Sequence, residues 1–102
     1  MVNDFILLEQ FVILWARDRN LLRADNDRNQ LLKTVEELGE VARAVLKHDE
    51  AGIKDGIGDV LVTLAIFAAT HNLSLTECFQ AAWDEIKDRT GVTVTGTFIK
   101  DA

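Results

Sequence analysis

Five acidic residues in the stretch KTVEELGEVARAVLKHDEAGIKDGIGDVLV, residues 33–62, each lie three or four positions from another member of the group. They are Glu36, Glu37, Glu40, Asp55 and Asp59. Side chains at this spacing project from one side of a helix, so the glutamates form one acidic face and the aspartates another. Where two such faces meet, ionised carboxylates repel each other unless protons or cations neutralise them. Hard divalent cations prefer oxygen ligands, which predicts a metal site with Mg²⁺ as the natural candidate.

Bound Mg²⁺ typically keeps several waters and completes its octahedron with substrate phosphates, so the site would also bind phosphate through the metal. The alternative is that the carboxylates form solvated helix faces, as most acidic residues do. Two features favour a site. The glutamates border Val41 and Ala44 rather than a polar strip, and the aspartates enter a helix with almost no polar face. A di-iron site is set aside because no glutamate is followed three residues later by histidine, and Arg43 follows Glu40 at that spacing.

The apolar periodicity predicts four helices and indicates their approximate ends, and the second and third helices carry the acidic faces. The predicted helices run from Asn3 or Asp4 to about Arg19, from about Arg28 to His48, from about Ala51 to Thr70, and from Ser74 to about Thr90. One apolar stripe of the second helix is predicted to be core, as is Trp83 of the fourth. The stripe comprises Leu31, Val35, Leu38, Ala42 and Val45. The third helix is apolar nearly all round after Asp59 and is predicted to be the central one.

Turn residues predict the segments between and after the helices. Asn and Asp residues at high density predict a loop at about 20–27. Ser74 can cap the fourth helix as part of a capping box, and Gly91 suits the left-handed position after a helix end. The string VTVTGTFI alternates with period two around Thr95 and Gly96, which predicts a short hairpin or an extended arm. The predicted fold is all-α, a four-helix bundle with this small C-terminal hairpin or arm.

Length and composition bound the class of protein. The 102 residues fit one domain spanning 1–102, and so short a chain buries only a small core, which makes a homo-oligomer a fair expectation. A formal charge of −6 without a basic run argues against a nucleic-acid partner. The longest apolar run, Val60–Ala69, has about half the length that a membrane crossing needs. A single cysteine, Cys78, and a start unlike a signal peptide predict a cytoplasmic protein without an internal disulfide.

The acidic motifs resemble those of the MazG-like, all-α nucleoside triphosphate pyrophosphohydrolases. That family carries Glu-Glu-x-x-Glu on one helix and Glu-x-x-Asp on the next. Here EELGE matches the first half through Glu36, Glu37 and Glu40, and GIGDV matches the second through Asp59. Further strings are similar to the short stand-alone members common in bacteria and their phages, and they extend the resemblance over most of the chain. These strings are WARDR, QLLKTVEELGE, KDGIGDVLVTL and EIKDRTG…GTFIK.

One position departs from the family pattern. Gly56 stands where the family has a glutamate, three residues before Asp59, and a glycine has no side chain to bind a metal. Asp55 lies four residues before Asp59 and therefore on the same helix face. Asp55 is predicted to supply the missing ligand.

The resemblance implies a Mg²⁺-dependent cut between the α and β phosphates of a (deoxy)nucleoside triphosphate, which releases a monophosphate and pyrophosphate. Mn²⁺ is expected to serve in place of Mg²⁺. Glu37, Glu40 and Asp59 would be metal ligands. Glu36 would be either a further ligand or the group that orients the attacking water, and both roles stay open.

Five other residues are predicted to contact the substrate. Lys87 and Arg89 resemble the family's basic residues near the end of the last helix, which suit the terminal phosphates, although they would also fit an ordinary charged surface. Gln30 and Lys33 precede the glutamates by one or two turns and could reach the substrate, or lie on a solvated face. Trp15 could stack on the base, or belong to the core as an aromatic residue on an apolar face.

The resemblance also implies a homodimer or homotetramer in which helices from two subunits form each pocket. A rival hypothesis from another class is a non-enzymatic helical interaction module whose acidic faces bind a basic partner. The two differ in their response to Mg²⁺, because a ligand that binds only the native state stabilises the fold by mass action.

Overall fold

The computed structural model describes residues 4–102, and this part of the chain folds into four α-helices followed by a two-stranded antiparallel hairpin. The helices are α1 (Phe5–Asp18), α2 (Asp27–Leu46), α3 (Glu50–Thr70) and α4 (Leu75–Ile86). The strands are β1 (Gly91–Val94) and β2 (Thr97–Lys100), and a short 3-10 turn at Ala24–Asn26 precedes α2. The predicted all-α class with a C-terminal hairpin is confirmed.

Side-chain caps begin three of the four described helices. The Asp4 carboxylate accepts hydrogen bonds from the first free amides of α1, the shorter at 2.9 Å, as predicted. Its alternative, Asn3, lies outside the described residues. The Ser74 hydroxyl accepts from the Glu77 amide at 3.4 Å, which confirms the predicted cap of α4. Asp49 caps α3 in the same way. Each cap satisfies a backbone donor that lacks a partner inside its helix.

Three helices end at a left-handed residue that is not glycine. Asn20, His48 and Asn72 have φ angles of 60°, 54° and 57° and directly follow the capping residues of α1, α2 and α3. At each of these ends, the amides of the left-handed residue and of the next residue bond back to carbonyls of the last turn. This is the Schellman arrangement, in which the left-handed residue turns the chain away from the helix.

The predicted end of α4 was wrong. The helix stops at Ile86 instead of near Thr90, and Gly91 does not take up the left-handed conformation. Gly91 is the first residue of β1, where an added Cβ would collide with the carbonyl oxygen of Ile99 on the facing strand. The glycine is therefore needed for close approach of two strands and not for a helix cap.

The hairpin turns at the predicted pair, Thr95 and Gly96. Their φ angles are 49° and 79°, and Val94 pairs with Thr97 across the turn. A two-residue loop with two positive φ angles is the type I′ turn, whose twist matches that of the flanking strands.

The third helix is the central one, as predicted. α3 contacts α1, α2 and α4, whereas α1 and α2 do not pack against each other within the described chain. Its buried residues are mostly small, so its neighbours approach closely. They are Gly56, Thr63, Ala65, Ile66, Ala68 and Thr70. No helix among residues 4–102 has the length and apolar character to span a membrane.

Glu9 joins α1 to α4 and is buried, with 9% of its surface exposed. Its carboxylate accepts hydrogen bonds from the Ser74 hydroxyl and the Thr76 amide, both at 3.0 Å. The Leu75 amide and the Thr76 hydroxyl donate to it as well. A carboxylate from one helix thus satisfies the free donors at the start of another and interacts favourably with its dipole.

The hydrophobic core of the described chain is thin. Its buried hydrophobic residues are Ala16, Ala44, Ala65, Ile66 and Ala68. The predicted core stripe of α2 is not buried: Leu38 is 58% exposed and Val35 61%. Trp83, also predicted as core, is 53% exposed. The physical reason in α2 is that its small residues Thr34 and Ala44 face α3, which leaves the larger stripe on the outside.

Candidate active site

A pair of buried threonines connects α2 and α3. The Oγ1 atoms of Thr34 and Thr63 lie 2.9 Å apart, and each residue is 8% exposed. Thr63 also donates to the Val60 carbonyl at 3.0 Å, and Thr34 lies at the same distance from the Gln30 carbonyl. With every buried hydroxyl satisfied, the pair is stable in an apolar interface and favours one alignment of the two helices.

Two glycines allow α2 and α3 to approach closely beyond this pair. A Cβ added at Gly56 would lie 2.6 Å from Val41 Cγ2, and one at Gly52 would lie 3.2 Å from Ala44 Cβ. The later residue of α2, Ala44, faces the earlier glycine of α3, Gly52, and Val41 faces Gly56. The two helices therefore form an antiparallel pair. This pairing places the second half of α2 beside the first half of α3, which is where the acidic residues lie.

The antiparallel pair forms one polar cleft of about 380 Å³, which we call the α2–α3 cleft. It is lined by Glu40, Arg43, Ala44, Lys47, Asp49, Gly52, Asp55, Gly56 and Asp59. The structure therefore brings Glu40 of the first motif together with Asp55 and Asp59 of the second. Glu36 and Glu37 do not line the cleft.

The carboxylates differ in their partners. Glu36 pairs with Lys33 and Glu40 with Arg43, each at 3.5 Å on the same helix and exposed to solvent. Such pairs are weak and are readily exchanged for another cation. Glu37 is half-buried. Among residues 4–102, no hydrogen bond or ion pair engages the carboxylates of Glu37, Asp55 and Asp59, which leaves their oxygens available to a ligand.

The donor set of the cleft fits a hard divalent cation in its chemistry. Carboxylate oxygens are the ligands that Mg²⁺ and Mn²⁺ prefer. Of the three aspartates in the cleft, Asp55 and Asp59 lack a competing partner among residues 4–102, whereas Asp49 caps α3. Within the described residues, however, no three His, Cys, Asp or Glu side chains are grouped closely enough to hold a metal ion as they stand. Glu37, Glu40, Asp55 and Asp59 stay the predicted ligands, and all of them except Glu37 line the cleft.

The departure at Gly56 has a structural basis. Gly56 is buried, and any side chain there would meet Val41 across the interface. A glutamate at this position would need the two helices to separate or Val41 to move. Asp55, one residue earlier, instead lines the cleft together with Asp59.

The predicted substrate residues do not line the α2–α3 cleft of their own chain. Lys87 pairs with Asp84 at 3.5 Å, and Arg89 pairs with Glu85 at 3.2 Å, both within the α4 region. In the described chain α4 does not pack against α2. Lys33 is engaged by Glu36, as described above. Gln30 is half-buried, and its carbonyl lies beside the Thr34 hydroxyl.

Trp15 is 47% exposed and is not a core residue in this chain. It lines an apolar cleft of about 360 Å³ with Phe11, Val12 and Val62. The Arg19 guanidinium lies 4.1 Å from the centre of the indole and also donates to the Trp15 carbonyl at 3.0 Å. One face of the indole thus carries a cation, an arrangement that stabilises both groups.

Two cationic residues of the cleft were missed by the sequence reasoning. Arg43 and Lys47 follow Glu40 by three and seven residues and share its helix face. The same spacing rule that identified the acids would have found them.

Comparison with known proteins places these residues in a described family. The family model described as the MazG nucleotide pyrophosphohydrolase domain matches residues 26–92, a range that contains all five acidic residues. An uncharacterised 18.2 kDa protein from the rep-hol intergenic region of Haemophilus phage HP1 is 39% identical over 59 residues. This match covers 58% of the chain and 36% of the phage protein. No solved structure matches the chain. The family model covers well over half of the sequence, and the chain belongs to the MazG nucleotide pyrophosphohydrolase family.

Proposed function

We propose that the protein hydrolyses a (deoxy)nucleoside triphosphate between the α and β phosphates, in a Mg²⁺-dependent reaction that gives a nucleoside monophosphate and pyrophosphate. The observation that carries this proposal is the α2–α3 cleft. It combines Glu40 with Asp55 and Asp59 inside the segment that matches the MazG family. The domain that performs the reaction is taken to be the whole of residues 1–102.

The chain contributes the groups that bind and orient. Glu37, Glu40, Asp55 and Asp59 would hold the cation, and Glu36 would either add a ligand or orient the attacking water. A bound divalent cation neutralises phosphate charge and lowers the pKa of a bound water. Carboxylates on two antiparallel helices would hold the metal and the phosphates bound to it in one place, and positioning of this kind is a large part of phosphoryl-transfer catalysis.

Mg²⁺ is the proposed cofactor, and Mn²⁺ is proposed to replace it. The candidate ligands are all carboxylates, and the described part of the cleft contains neither cysteine nor histidine. Soft metals favour sulfur and nitrogen ligands, whereas Mg²⁺ and Mn²⁺ favour oxygen. The ligand chemistry therefore supports a hard cation.

The protein is further proposed to act as a homodimer or homotetramer, with helices of two subunits around each pocket. The support is the exposed apolar surface of the single chain, which includes Phe11 at 49%, Leu38 at 58% and Phe79 at 64%. Large apolar side chains in such number on one small domain mark surfaces that associate. A second subunit could also bring Lys87 and Arg89 near a cleft, as the family resemblance implies. A cytoplasmic location remains a prediction.

A product analysis tests the proposed reaction. The standard and modified nucleoside triphosphates are incubated with the protein and Mg²⁺ or Mn²⁺, and the products are separated by ion exchange. We expect monophosphate and pyrophosphate in equal amounts. Diphosphate and orthophosphate as initial products would contradict the site of cleavage. No product from any nucleotide, together with no effect of millimolar Mg²⁺ on the melting temperature, would favour the interaction module.

A further inference from the structure

We propose that Arg43 and Lys47 bind the β and γ phosphates, the part of the substrate that leaves as pyrophosphate. This inference rests on the proposed function and names two substrate-binding residues for the same site. It assigns the phosphate contacts of the α2–α3 cleft to cations of α2 itself, instead of to Lys87 and Arg89 of the α4 region.

The position of the two cations is the first argument. Arg43 and Lys47 lie four residues apart, one helical turn, and both line the cleft that also contains Glu40, Asp55 and Asp59. A metal held by those carboxylates and phosphates held by these cations would share one cavity. A nucleoside triphosphate complexed with Mg²⁺ presents both kinds of group on one molecule.

The charge of the cleft is the second argument. Four carboxylates and two cationic side chains line it, so its formal charge is −2. Carboxylates alone would repel a triphosphate, and a divalent cation can offset only part of that repulsion. Cations at the same surface would stabilise the phosphates that extend beyond the metal. An Arg guanidinium suits two phosphate oxygens at once, and a Lys ammonium adds a compact positive charge.

The availability of the two cations is the third argument. Lys47 makes no ion pair with any carboxylate of residues 4–102, although the chain is strongly acidic. Arg43 makes one exposed pair, with Glu40 at 3.5 Å. If Glu40 binds a metal, its negative charge is shared with the metal, and the Arg43 guanidinium becomes free to contact phosphate. Metal and phosphate binding would then favour each other.

The alternative cations are less well placed within one chain. Lys87 and Arg89 are paired with Asp84 and Glu85 of their own segment. They belong to the α4 end of the molecule, and α4 does not pack against α2 in the described chain. Phosphate binding by these two residues requires a second subunit, whereas Arg43 and Lys47 are in the cleft already.

The experiment compares four variants of the full chain: Arg43→Ala, Lys47→Ala, Lys87→Ala and the control Lys54→Ala. The substitution Lys54→Ala also removes one positive charge, but from a residue of α3 that does not line the cleft. Binding of inorganic pyrophosphate in saturating Mg²⁺ is measured by calorimetry, and KM is measured for the preferred nucleotide. We expect Arg43→Ala and Lys47→Ala to weaken pyrophosphate binding at least about tenfold, as for loss of a charged hydrogen bond. Lys54→Ala should bind pyrophosphate like the wild type, and Lys87→Ala should weaken binding less than Arg43→Ala or Lys47→Ala does.

Circular dichroism of each variant reports on the fold, which should persist because both cations are exposed. Arg43→Lys keeps the positive charge but cannot bind two phosphate oxygens in the bidentate geometry of arginine. Its affinity for pyrophosphate should therefore lie between those of the wild type and Arg43→Ala. The inference is overturned if Arg43→Ala and Lys47→Ala bind pyrophosphate as tightly as the Lys54→Ala control, or if the wild type does not bind it at millimolar concentration. Pyrophosphate binding through Lys47 without hydrolysis of any nucleotide would support the inference and overturn only the proposed function.

Discussion

The carboxylate of Glu9 on α1 accepts hydrogen bonds from both the backbone amide and the hydroxyl of Thr76 in the first turn of α4. Burial by itself would raise the pKa of Glu9. The bonds from Thr76, from the Leu75 amide and from the Ser74 hydroxyl outweigh that effect and hold the pKa below its ordinary value of 4.5. The attachment of α4 to α1 therefore depends on an ionised carboxylate.

This attachment predicts acid-sensitive stability. The pKa of Glu9 is lower in the folded chain than in the unfolded chain, so the unfolded chain binds more protons in acid. The stabilisation by Glu9 is therefore complete above the ordinary value of 4.5. It is lost as the pH falls from there through the folded pKa. At pH 7, Glu9→Gln should lower the free energy of unfolding by about 1–3 kcal/mol, as for loss of charged hydrogen bonds. Urea unfolding at pH 7 and below pH 4 measures both effects.

The matched control for Glu9 is Glu77→Gln, which removes an exposed carboxylate from the first turn of α4. Glu77→Gln should lower the free energy of unfolding by only a few tenths of a kcal/mol, because it removes a favourable interaction with the helix dipole. Equal costs for the two variants at pH 7 would show that Glu9 is not the structural carboxylate described here.

Asp59→Asn tests the metal site at the residue where the helix spacing and the family motif agree. The substitution keeps the shape of the side chain but removes the charge that holds the cation, so turnover should fall by at least about a hundredfold. The fold should persist, because Asp59 is exposed and its carboxylate has no partner in the described chain. Initial rates of pyrophosphate release and a thermal melt check both parts. A fully active variant would show that the site lies elsewhere.

Asp55→Asn tests whether this residue replaces the ligand that is missing at Gly56. If it does, the Mg²⁺ concentration for half-maximal rate should rise, with a loss of rate close to that of Asp59→Asn. Lys54→Ala is the control, because Lys54 projects about 100° away from Asp55 around the helix. Mg²⁺ titrations of initial rate, and of binding by calorimetry without nucleotide, make the comparison. An unchanged titration curve in Asp55→Asn would remove Asp55 from the ligand set.

Leu38→Glu tests the proposed association through α2. Leu38 belongs to the exposed apolar stripe, and a charge buried in an interface without a partner is strongly unfavourable. The variant should shift from a dimer or tetramer toward the monomer in size-exclusion chromatography with light scattering. Arg28→Glu, at the polar start of the same helix, should keep the wild-type mass. If Leu38→Glu keeps that mass too, the stripe is not the interface.

Much of the fold could be predicted from the sequence because the governing interactions are local. Apolar periodicity located all four helices to within a few residues, except at the end of α4, and Asp4 and Ser74 were recognisable as caps. The left-handed helix ends were missed because Asn20, His48 and Asn72 occupy positions where glycine is the usual signal. The prediction for Gly91 was wrong because a glycine is also found where two strands come close together, and sequence alone does not distinguish the two uses.

The limits of sequence reasoning at the site are also physical. Periodicity identifies which α2 residues are apolar but not which face of the helix packs against α3. In the structure, the small residues Thr34 and Ala44 pack there and the leucine stripe stays exposed. Spacing placed the acids on helix faces, yet Glu36 and Glu37 lie about one turn before Glu40, on either side of its direction around the helix. Only Glu40 of the three lines the cleft. That Arg43 and Lys47 line one cleft with Asp59 depends on the alignment of two helices. Contacts between distant residues, such as Thr34 and Thr63, determine that alignment.

The contact between Gly56 and Val41 constrains how this sequence can change. A single Gly56→Glu substitution, which would restore the family motif, places a side chain where Val41 Cγ2 now lies. That change is expected to disturb helix packing before it can add a ligand. The paired change with Val41→Ala opens the space first, so the two positions should show strong epistasis. The family's metal motif is thus two coordinated mutations away, and no single codon change restores it without loss of packing.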